Sequence, residues 1–241
     1  MPEAYIVDAV RTPTGRRKGG LAHVHGADLG AHVLKAIVER NGIPDNEYDD
    51  VIFGCVDTIG PLAGDIARTC WLAAGLSQEV PGTTIDRQCG SSQQSVHFAA
   101  QAAMSGINDV VVAGGVQTMS SVPISSAMLA AEPLGFSDPF SGSQGWVARY
   151  GATPPSQFTS AQMIADKWGF SRQQMEEFAL QSHTRALAAI EDGRIETVLI
   201  EDKGRGRATA AIIAAGDILL VTIKLLQFQA QQGQGDVDCI R

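Results

Sequence analysis

At 241 residues with a formal net charge of −8, the chain is long enough to bury the core of one large domain or of two small ones. The acidic balance disfavours nucleic acid as a partner, and no run of about eighteen apolar residues predicts a membrane span. Residues 1–5 lack a basic region followed by an apolar stretch, so we expect no secretory signal.

The first 115 residues alternate β-rich runs with helical stretches. Strands are predicted at 4–9, 50–56, 83–86 and 109–113. Helices are predicted at 27–41, 65–74 and 90–105, each followed by a glycine that suits a left-handed C-terminal cap: Gly42, Gly75 and Gly106. Strands separated by helices in this way indicate an α/β layer with a largely parallel sheet.

Residues 120–158 hold five prolines among many serines and glycines and show little sustained periodicity. A long stretch without regular structure is typical of a lid or a binding loop. Helices are predicted at 160–168 and 172–192, and Ser171 with Gln174 forms an S-x-x-Q capping box for the second. The apolar residues of this second helix keep helical spacing and predict a buried face: Met175, Phe178, Ala179, Ala186, Leu187 and Ile190.

The chain from residue 196 onward has a less distinct pattern. Residues 210–226 are apolar and fit either a strand pair or a helix, whereas 228–235 are rich in Gln and Gly and are predicted to be loose. We therefore divide the chain into an α/β domain (1–119), a loop or lid domain (120–195) and an unassigned tail (196–241).

The four cysteines, Cys55, Cys70, Cys89 and Cys239, form no C-x-x-C pair. This spacing argues against a zinc site and a disulfide framework, so we predict no metal and a cytoplasmic location. Cys55 and Cys70 are expected in the core. Cys89 lies just before a predicted helix, where unpaired N–H groups and the macrodipole favour the thiolate. By position alone, a structural buried cysteine is the alternative.

Four segments, in order along the chain, resemble the thiolase family. Residues 84–95, Thr-Ile-Asp-Arg-Gln-Cys-Gly-Ser-Ser-Gln-Gln-Ser, are similar to the N-R-x-C-x-S-G-x-Q-A pattern around the thiolase nucleophile. Residues 6–15 resemble the opening strand and its A-R-T-P-x-G turn, and residues 113–120 resemble A-G-G-x-E-x-M-S. Residues 171–194 resemble the helix of the family's loop domain, including its Ser182-His183 pair.

The resemblance implies a fold and a reaction. The fold is the layered α/β thiolase fold, here its N-terminal half, with an inserted, mostly helical loop domain. Cys89 would be the acyl-thioester nucleophile, and its backbone N–H would be an oxyanion donor. The implied activity is that of an acyl-CoA C-acyltransferase, either thiolysis of 3-ketoacyl-CoA or Claisen condensation of acetyl-CoA.

The same resemblance sets the expected partners. Coenzyme A and acyl-CoA are substrates, no separate cofactor is expected, and the context is lipid or fatty-acid metabolism. A homodimer or homotetramer is expected, with no nucleic-acid or membrane partner.

The family's remaining catalytic segments do not occur in the printed sequence. Thiolases take a histidine from G-H-P, a second cysteine from C-x-G-G-G and an asparagine from N-E-A-F, and none of these strings is present. His97 lies eight residues along the helix from Cys89, about 12 Å away and beyond hydrogen-bond reach. His183 is expected at the surface, and Cys239 lacks the glycines. A non-catalytic thiolase-like protein that binds acyl-CoA or a subunit is therefore the alternative.

Three local features complete the sequence-based expectations. Residues 156–158, Ser-Gln-Phe, replace the His-Met-Gly of many thiolases, which leaves open a substrate other than acetoacetyl-CoA. Asp86 and Arg87 are expected to form a structural ion pair. Met119 fits either the core or the active-site side.

Overall fold

A computed structural model describes residues 3–193, 197–202, 206–211 and 220–225 and shows an α/β arrangement. The strands are β1 (Ala4–Val10), β2 (Asp50–Gly54), β3 (Gly82–Ile85), β4 (Val110–Gly115), β5 (Thr197–Asp202), β6 (Gly206–Ala211) and β7 (Leu220–Leu225). The α-helices are α1 (Gly26–Asn41), α2 (Ile66–Ala73), α3 (Ser91–Ser105), α4 (Ser126–Leu129), α5 (Gln144–Tyr150), α6 (Gln157–Trp168) and α7 (Arg172–Glu191). Each strand and helix predicted before residue 115 is present, with ends shifted by one or two residues.

Five strands form one sheet in the order β1-β7-β4-β2-β3. Strands β4, β2 and β3 lie side by side and are parallel to one another, and Val51 of β2 pairs with Val112 of β4 and with Gly82 of β3. This confirms the predicted parallel sheet for these three strands. The rest differs from the expectation, because β7 runs antiparallel to both β4 and β1 and separates them. A strand from the apolar stretch at 210–226, inserted between β1 and β4, therefore gives a mixed sheet.

The stretch at 210–226 had fitted either a strand pair or a helix, and its described parts are strands. β6 pairs antiparallel with β5, and β7 joins the main sheet. The predictions for residues 212–219 and 228–235 fall outside the described residues. The division of the chain at residues 119 and 195 stays a prediction.

The parallel strands β2 and β4 are buried on both faces, as their apolar sequences require, whereas β3 (Gly-Thr-Thr-Ile) has no buried residue. Successive side chains alternate between two cores. One core packs against α1 and α2 and is the larger, and it includes Val51, Phe53, Cys55, Val110 and Val112. The other core packs against α3 and consists of Ile52, Ala99, Ala103, Val111 and Ala113.

Helix α3 lies very close to the sheet where β2 and β4 end. A Cβ on Gly54 would lie 2.3 Å from the carbonyl carbon of Ser91, and one on Gly115 would lie 2.6 Å from the Ser92 hydroxyl. Ser95 is fully buried, and its hydroxyl donates to the Gly114 carbonyl at 2.8 Å. The first turn of α3 therefore sits against strand backbone, at a distance that only glycine permits.

Helix α3 is buried on one face and exposed on the other. Its inner face is buried, but Phe98 and Met104 on the other face are 43% and 46% exposed. The alanines on the inner face allow the close approach, and within the described residues no element covers the outer face.

Residues 120–158 contain more regular structure than their sequence predicts, namely α4, α5 and the start of α6. α4 and α5 have only 4 and 7 residues, too few for apolar periodicity to reveal them. The capping box of α7 is confirmed, since Ser171 and Gln174 exchange both hydrogen bonds. Among the described residues, no helix is long and apolar enough to cross a bilayer.

The predicted buried face of α7 is wrong in this structure. Phe178 is 76% exposed and Leu187 is 61% exposed, and no residue of α7 is buried. The helical spacing of the apolar residues is present, but within the described residues nothing packs on that face.

We expect Gly54→Ala to lower the free energy of unfolding by about 1–3 kcal/mol, because the methyl group must displace the backbone of α3. The measurement is the urea midpoint. Gly145→Ala is the matched control, since Gly145 lies in α5 with no atom within 4 Å of its Cβ position, and it should be neutral or slightly stabilising. Equal midpoints for the two variants would contradict the close packing of α3.

Candidate active site

A cleft of about 290 Å³ lies at the carboxyl ends of the three parallel strands. Because these ends meet at one edge of the sheet, the segments that follow β2, β3 and β4 all contribute to it. Its lining comprises Gly54, Cys55, Val56, Gln88, Cys89, Ser91, Ser92, Val116, Gln117, Met119 and Ile124. Cys89 is exposed, whereas Cys55 is buried.

A tight turn between β3 and α3 presents Cys89 directly before the helix. Gln88 adopts a left-handed conformation (φ 49°), which is unusual for a residue with a side chain. Its N–H donates to the Asp86 carboxylate at 2.7 Å, and its carbonyl accepts from the Ser91 hydroxyl at 2.6 Å. The Ser91 hydroxyl also accepts from the Arg87 N–H at 2.9 Å. These bonds hold the strained residue beside Cys89 in place.

The ion pair expected between Asp86 and Arg87 is absent from the ion pairs of the described residues. Asp86 accepts from the backbone of Gln88, while the Arg87 guanidinium donates to the Gln94 side chain. Asp86 therefore stabilises the turn through the Gln88 backbone, and Arg87 connects the turn to helix α3 through Gln94, so the two charges do not pair with each other.

Gln117 forms the polar floor of the cleft. Its Oε1 accepts from the Val56 N–H at 3.1 Å and from the Cys55 Sγ at 3.5 Å. Its Nε2 is buried and makes no hydrogen bond to any described residue. A buried amide donor without a partner is rare, and here it belongs to a side chain that lines the cleft.

Burial separates the cysteines into two kinds. It raises the pKa of the Cys55 thiol to about 11 and that of the Cys70 thiol to about 12, because a thiolate loses its hydration inside the protein. Both were expected in the core, and the structure confirms this. Cys89 instead is exposed beside the first turn of α3, so the structural alternative for Cys89, burial in the core, does not hold.

All five histidines are exposed, and none lines the cleft. His183 lies at the surface, as expected, and His97 is exposed as well. His25 has a structural task that the sequence did not reveal, because its Nδ1 accepts from the Ala27 N–H at 3.1 Å and caps α1. The described residues thus bring no histidine to Cys89.

Sequence reasoning placed Cys89 correctly in a loop before a helix but missed Gln117 and Ile124 as cleft residues. Met119, for which both positions were open, lies at the cleft and is 53% exposed. The sequence could have predicted Gln117 as a cleft residue, because residues that directly follow parallel strands lie at the same edge of the sheet.

A second, larger cavity of about 440 Å³ lies beside β3 and the start of α2. It is lined by Thr58, Gly64, Asp65, Gly82, Thr83, Thr84, Ile85 and Asp86. We place the chemistry in the smaller cleft, because only that cleft contains an exposed thiol.

Comparison with known proteins agrees with the resemblance seen in the sequence. The family described as "Thiolase, N-terminal domain" matches residues 4–213, and so extends into the tail (196–241) that the sequence patterns left unassigned. A steroid 3-ketoacyl-CoA thiolase of Mycobacterium tuberculosis is 54% identical over 200 residues, which is 83% of this chain and 49% of that protein. A 3-ketoacyl-CoA thiolase of Aeromonas hydrophila is 36% identical over 87% of this chain and 52% of its own length.

The fold also has a solved counterpart. The crystal structure of the Bacillus anthracis acetyl-CoA acetyltransferase matches 93% of this chain and 66% of that one, with a TM-score of 0.66 and 27% identity. The chain spans about half the length of the curated relatives it matches.

We expect one fast-reacting thiol, Cys89, when the folded Cys239→Ser variant is titrated with Ellman's reagent at about pH 8. With its pKa near 11, Cys55 has a thiolate fraction on the order of 10⁻³ at that pH, and Cys70 has less. Below the pKa this fraction rises about tenfold per pH unit, so both buried thiols should react faster as the pH is raised. Labelling of Cys55 as fast as Cys89 would contradict the assignment.

Proposed function

Because the chain belongs to the thiolase family, we propose that Cys89 takes an acyl group from acyl-CoA to form an acyl-S-Cys intermediate. The observation that carries the proposal is the exposed thiol, presented before α3 in a cleft at the carboxyl ends of three parallel strands. The activity is that of an acyl-CoA C-acyltransferase in lipid or fatty-acid metabolism.

In the thiolysis direction, the Cys89 thiolate attacks the 3-keto carbon of a 3-ketoacyl-CoA. The bond between C2 and C3 breaks, and its electron pair leaves with acetyl-CoA, which takes up a proton. The thiol of a second coenzyme A then attacks the acyl-S-Cys89 carbonyl, gives up its proton and restores the cysteine thiolate. In the Claisen direction, the Cys89 thiolate attacks the thioester carbonyl of acetyl-CoA, and coenzyme A leaves. A second acetyl-CoA loses a proton from its methyl group, and the resulting carbanion attacks the acetyl-S-Cys89 carbonyl and releases the cysteine thiolate.

One group of this chain fits the charge that develops during attack. The carbonyl oxygen becomes an oxyanion, and we assign its stabilisation to the Cys89 backbone N–H beside the positive end of α3.

The substrate is a 3-ketoacyl-CoA with an acyl group larger than that of acetoacetyl-CoA. One support is the Ser156-Gln157-Phe158 sequence in place of the family's His-Met-Gly. The other is the 54% identity to a relative named as a steroid 3-ketoacyl-CoA thiolase. The first departs from the motif linked to the family's short-chain pocket, and the second is a relative named for a bulky steroid substrate.

Assembly into a homodimer or homotetramer is part of the same proposal. Its support is apolar side chains left exposed on helices, such as Phe98 on α3 and Phe178 on α7, since large apolar patches typically mark contact surfaces.

The second candidate is a non-catalytic role in binding acyl-CoA or a partner subunit. The observation that favours it is the position of the five histidines, all of which are exposed away from the cleft. This candidate predicts binding of acyl-CoA without transfer of the acyl group.

Mass spectrometry after incubation with acetyl-CoA, acetoacetyl-CoA and a long-chain 3-ketoacyl-CoA separates the two candidates. We expect one acyl group per chain, located on Cys89 by peptide mapping, with the fastest reaction for the long chain. Cys89→Ala should lower the rate of adduct formation by about 10³-fold or more, because no other described thiol is exposed. Cys239→Ser is the control and should behave as the wild type.

An adduct that persists in Cys89→Ala would contradict the nucleophile assignment. If no adduct forms while a non-reactive CoA thioether still binds, the non-catalytic role is the correct one.

A further inference from the structure

The segment of residues 122–127, which follows β4, is fixed at its first end by the core. Val122 is 4% exposed and packs in the larger core, and its N–H donates to the Thr118 carbonyl at 2.9 Å. Ile124, two residues on, is 55% exposed and lines the cleft that contains Cys89. The position of Ile124 therefore depends on what holds the other end of the segment.

Asp57 holds that other end, although it lies 68 residues earlier in the chain. Its Oδ2 accepts from the Ser125 N–H at 3.1 Å, and its Oδ1 accepts from the Ala127 N–H at 2.9 Å. The Asp57 side chain follows β2 and is only 2% exposed, so each carboxylate oxygen has exchanged water for a backbone donor. This is a built contact between the end of β2 and the segment after β4.

The backbone conformation of Ser125 indicates that the surrounding structure fixes this segment in place. Ser125 has a φ of 73°, in the left-handed region that residues with side chains rarely adopt. Such a conformation persists when its surroundings determine it, and here the buried carboxylate holds the Ser125 N–H directly.

We propose that Asp57 is a positioning residue that fixes Ile124 as a wall of the Cys89 cleft and so sets the size of the acyl group that reaches the thiol. Asp57 does not line the cleft and acts only through the backbone of residues 122–127. The inference about acyl groups rests on the proposed function, whereas the position of the wall does not.

Two classes of thiol reagent measure the wall without any acyl-CoA. Iodoacetamide is small, and a fluorescein maleimide is bulky, so the ratio of their rates at Cys89 reports how much room the cleft leaves. Loss of stability alone would change both rates together, whereas movement of the wall changes their ratio.

Ile124→Ala should raise the relative rate of the bulky reagent by about tenfold, because even one methylene of apolar contact is worth about tenfold or more in discrimination. Asp57→Asn should shift the ratio in the same direction, since the amide can accept only one of the two N–H groups. Asp138→Asn is the matched control, because Asp138 also accepts backbone N–H groups, from Phe140 and Ser141, but lies outside the cleft. Its ratio should equal that of the wild type.

The same variants are then compared with acetyl-CoA and a long-chain 3-ketoacyl-CoA, and the preference for chain length should move with the reagent ratio. If no acyl-CoA forms an adduct with any variant, the proposed function fails while the reagent ratio still tests the wall. A ratio that changes in Ile124→Ala but not in Asp57→Asn overturns the role of Asp57, and an unchanged ratio in both overturns the wall.

Hydrogen exchange on the wild type gives an answer even if Asp57→Asn does not fold. The Ser125 and Ala127 amides should be protected, because a buried carboxylate binds them. Exchange of these two amides at the rate of exposed loop amides would overturn the proposal.

Discussion

The close approach of helix α3 to the ends of β2 and β4 is the contact on which the candidate site depends. Side chains at Gly54 or Gly115 would collide with the first turn of α3 or with neighbouring strand backbone, and the Ser95 hydroxyl adds a buried bond to the Gly114 carbonyl. With α3 this close, the loop before it is short and strained, and Cys89 emerges at the mouth of the cleft. If α3 packed less closely on the sheet, Cys89 would not have a fixed position relative to the other residues that line the cleft.

The sheet gathers the remaining groups by topology rather than by sequence proximity. Parallel strands end at one edge, so Cys55 after β2, Cys89 after β3 and Gln117 after β4 share one cleft. Their environments differ sharply. Burial raises the pKa of Cys55 and keeps it a thiol bonded to Gln117, while Cys89 stays exposed to substrate. Asp57 connects the loops after β2 and β4 and gives the cleft an apolar wall.

Much of this could be predicted from the sequence, where local patterns decide structure. Apolar runs and helix-ending glycines located the strands and helices before residue 115, and the likeness of residues 84–95 to the thiolase nucleophile segment identified Cys89. The prediction of a buried face on α7 was wrong, because periodicity shows that a helix has an apolar side but does not show which element covers that side. The role of Asp57 could not be predicted, because its partners lie 68 and 70 residues away and its bonds are to backbone N–H groups that no side-chain pattern marks.

The most direct measurement is the rate of Cys89 acylation by acyl-CoA relative to its rate of alkylation by iodoacetamide, in the wild type and in Gly54→Ala. A Cβ at Gly54 would lie 2.3 Å from the Ser91 carbonyl carbon and 2.4 Å from the Ser92 backbone nitrogen, so the start of α3 must move. Since misplacement by about 1 Å can cost about 10²-fold in a reaction that needs alignment, acylation should fall by about tenfold or more while alkylation changes much less. A folded Gly54→Ala protein with both rates unchanged would contradict the claim that the packing of α3 on the sheet positions Cys89.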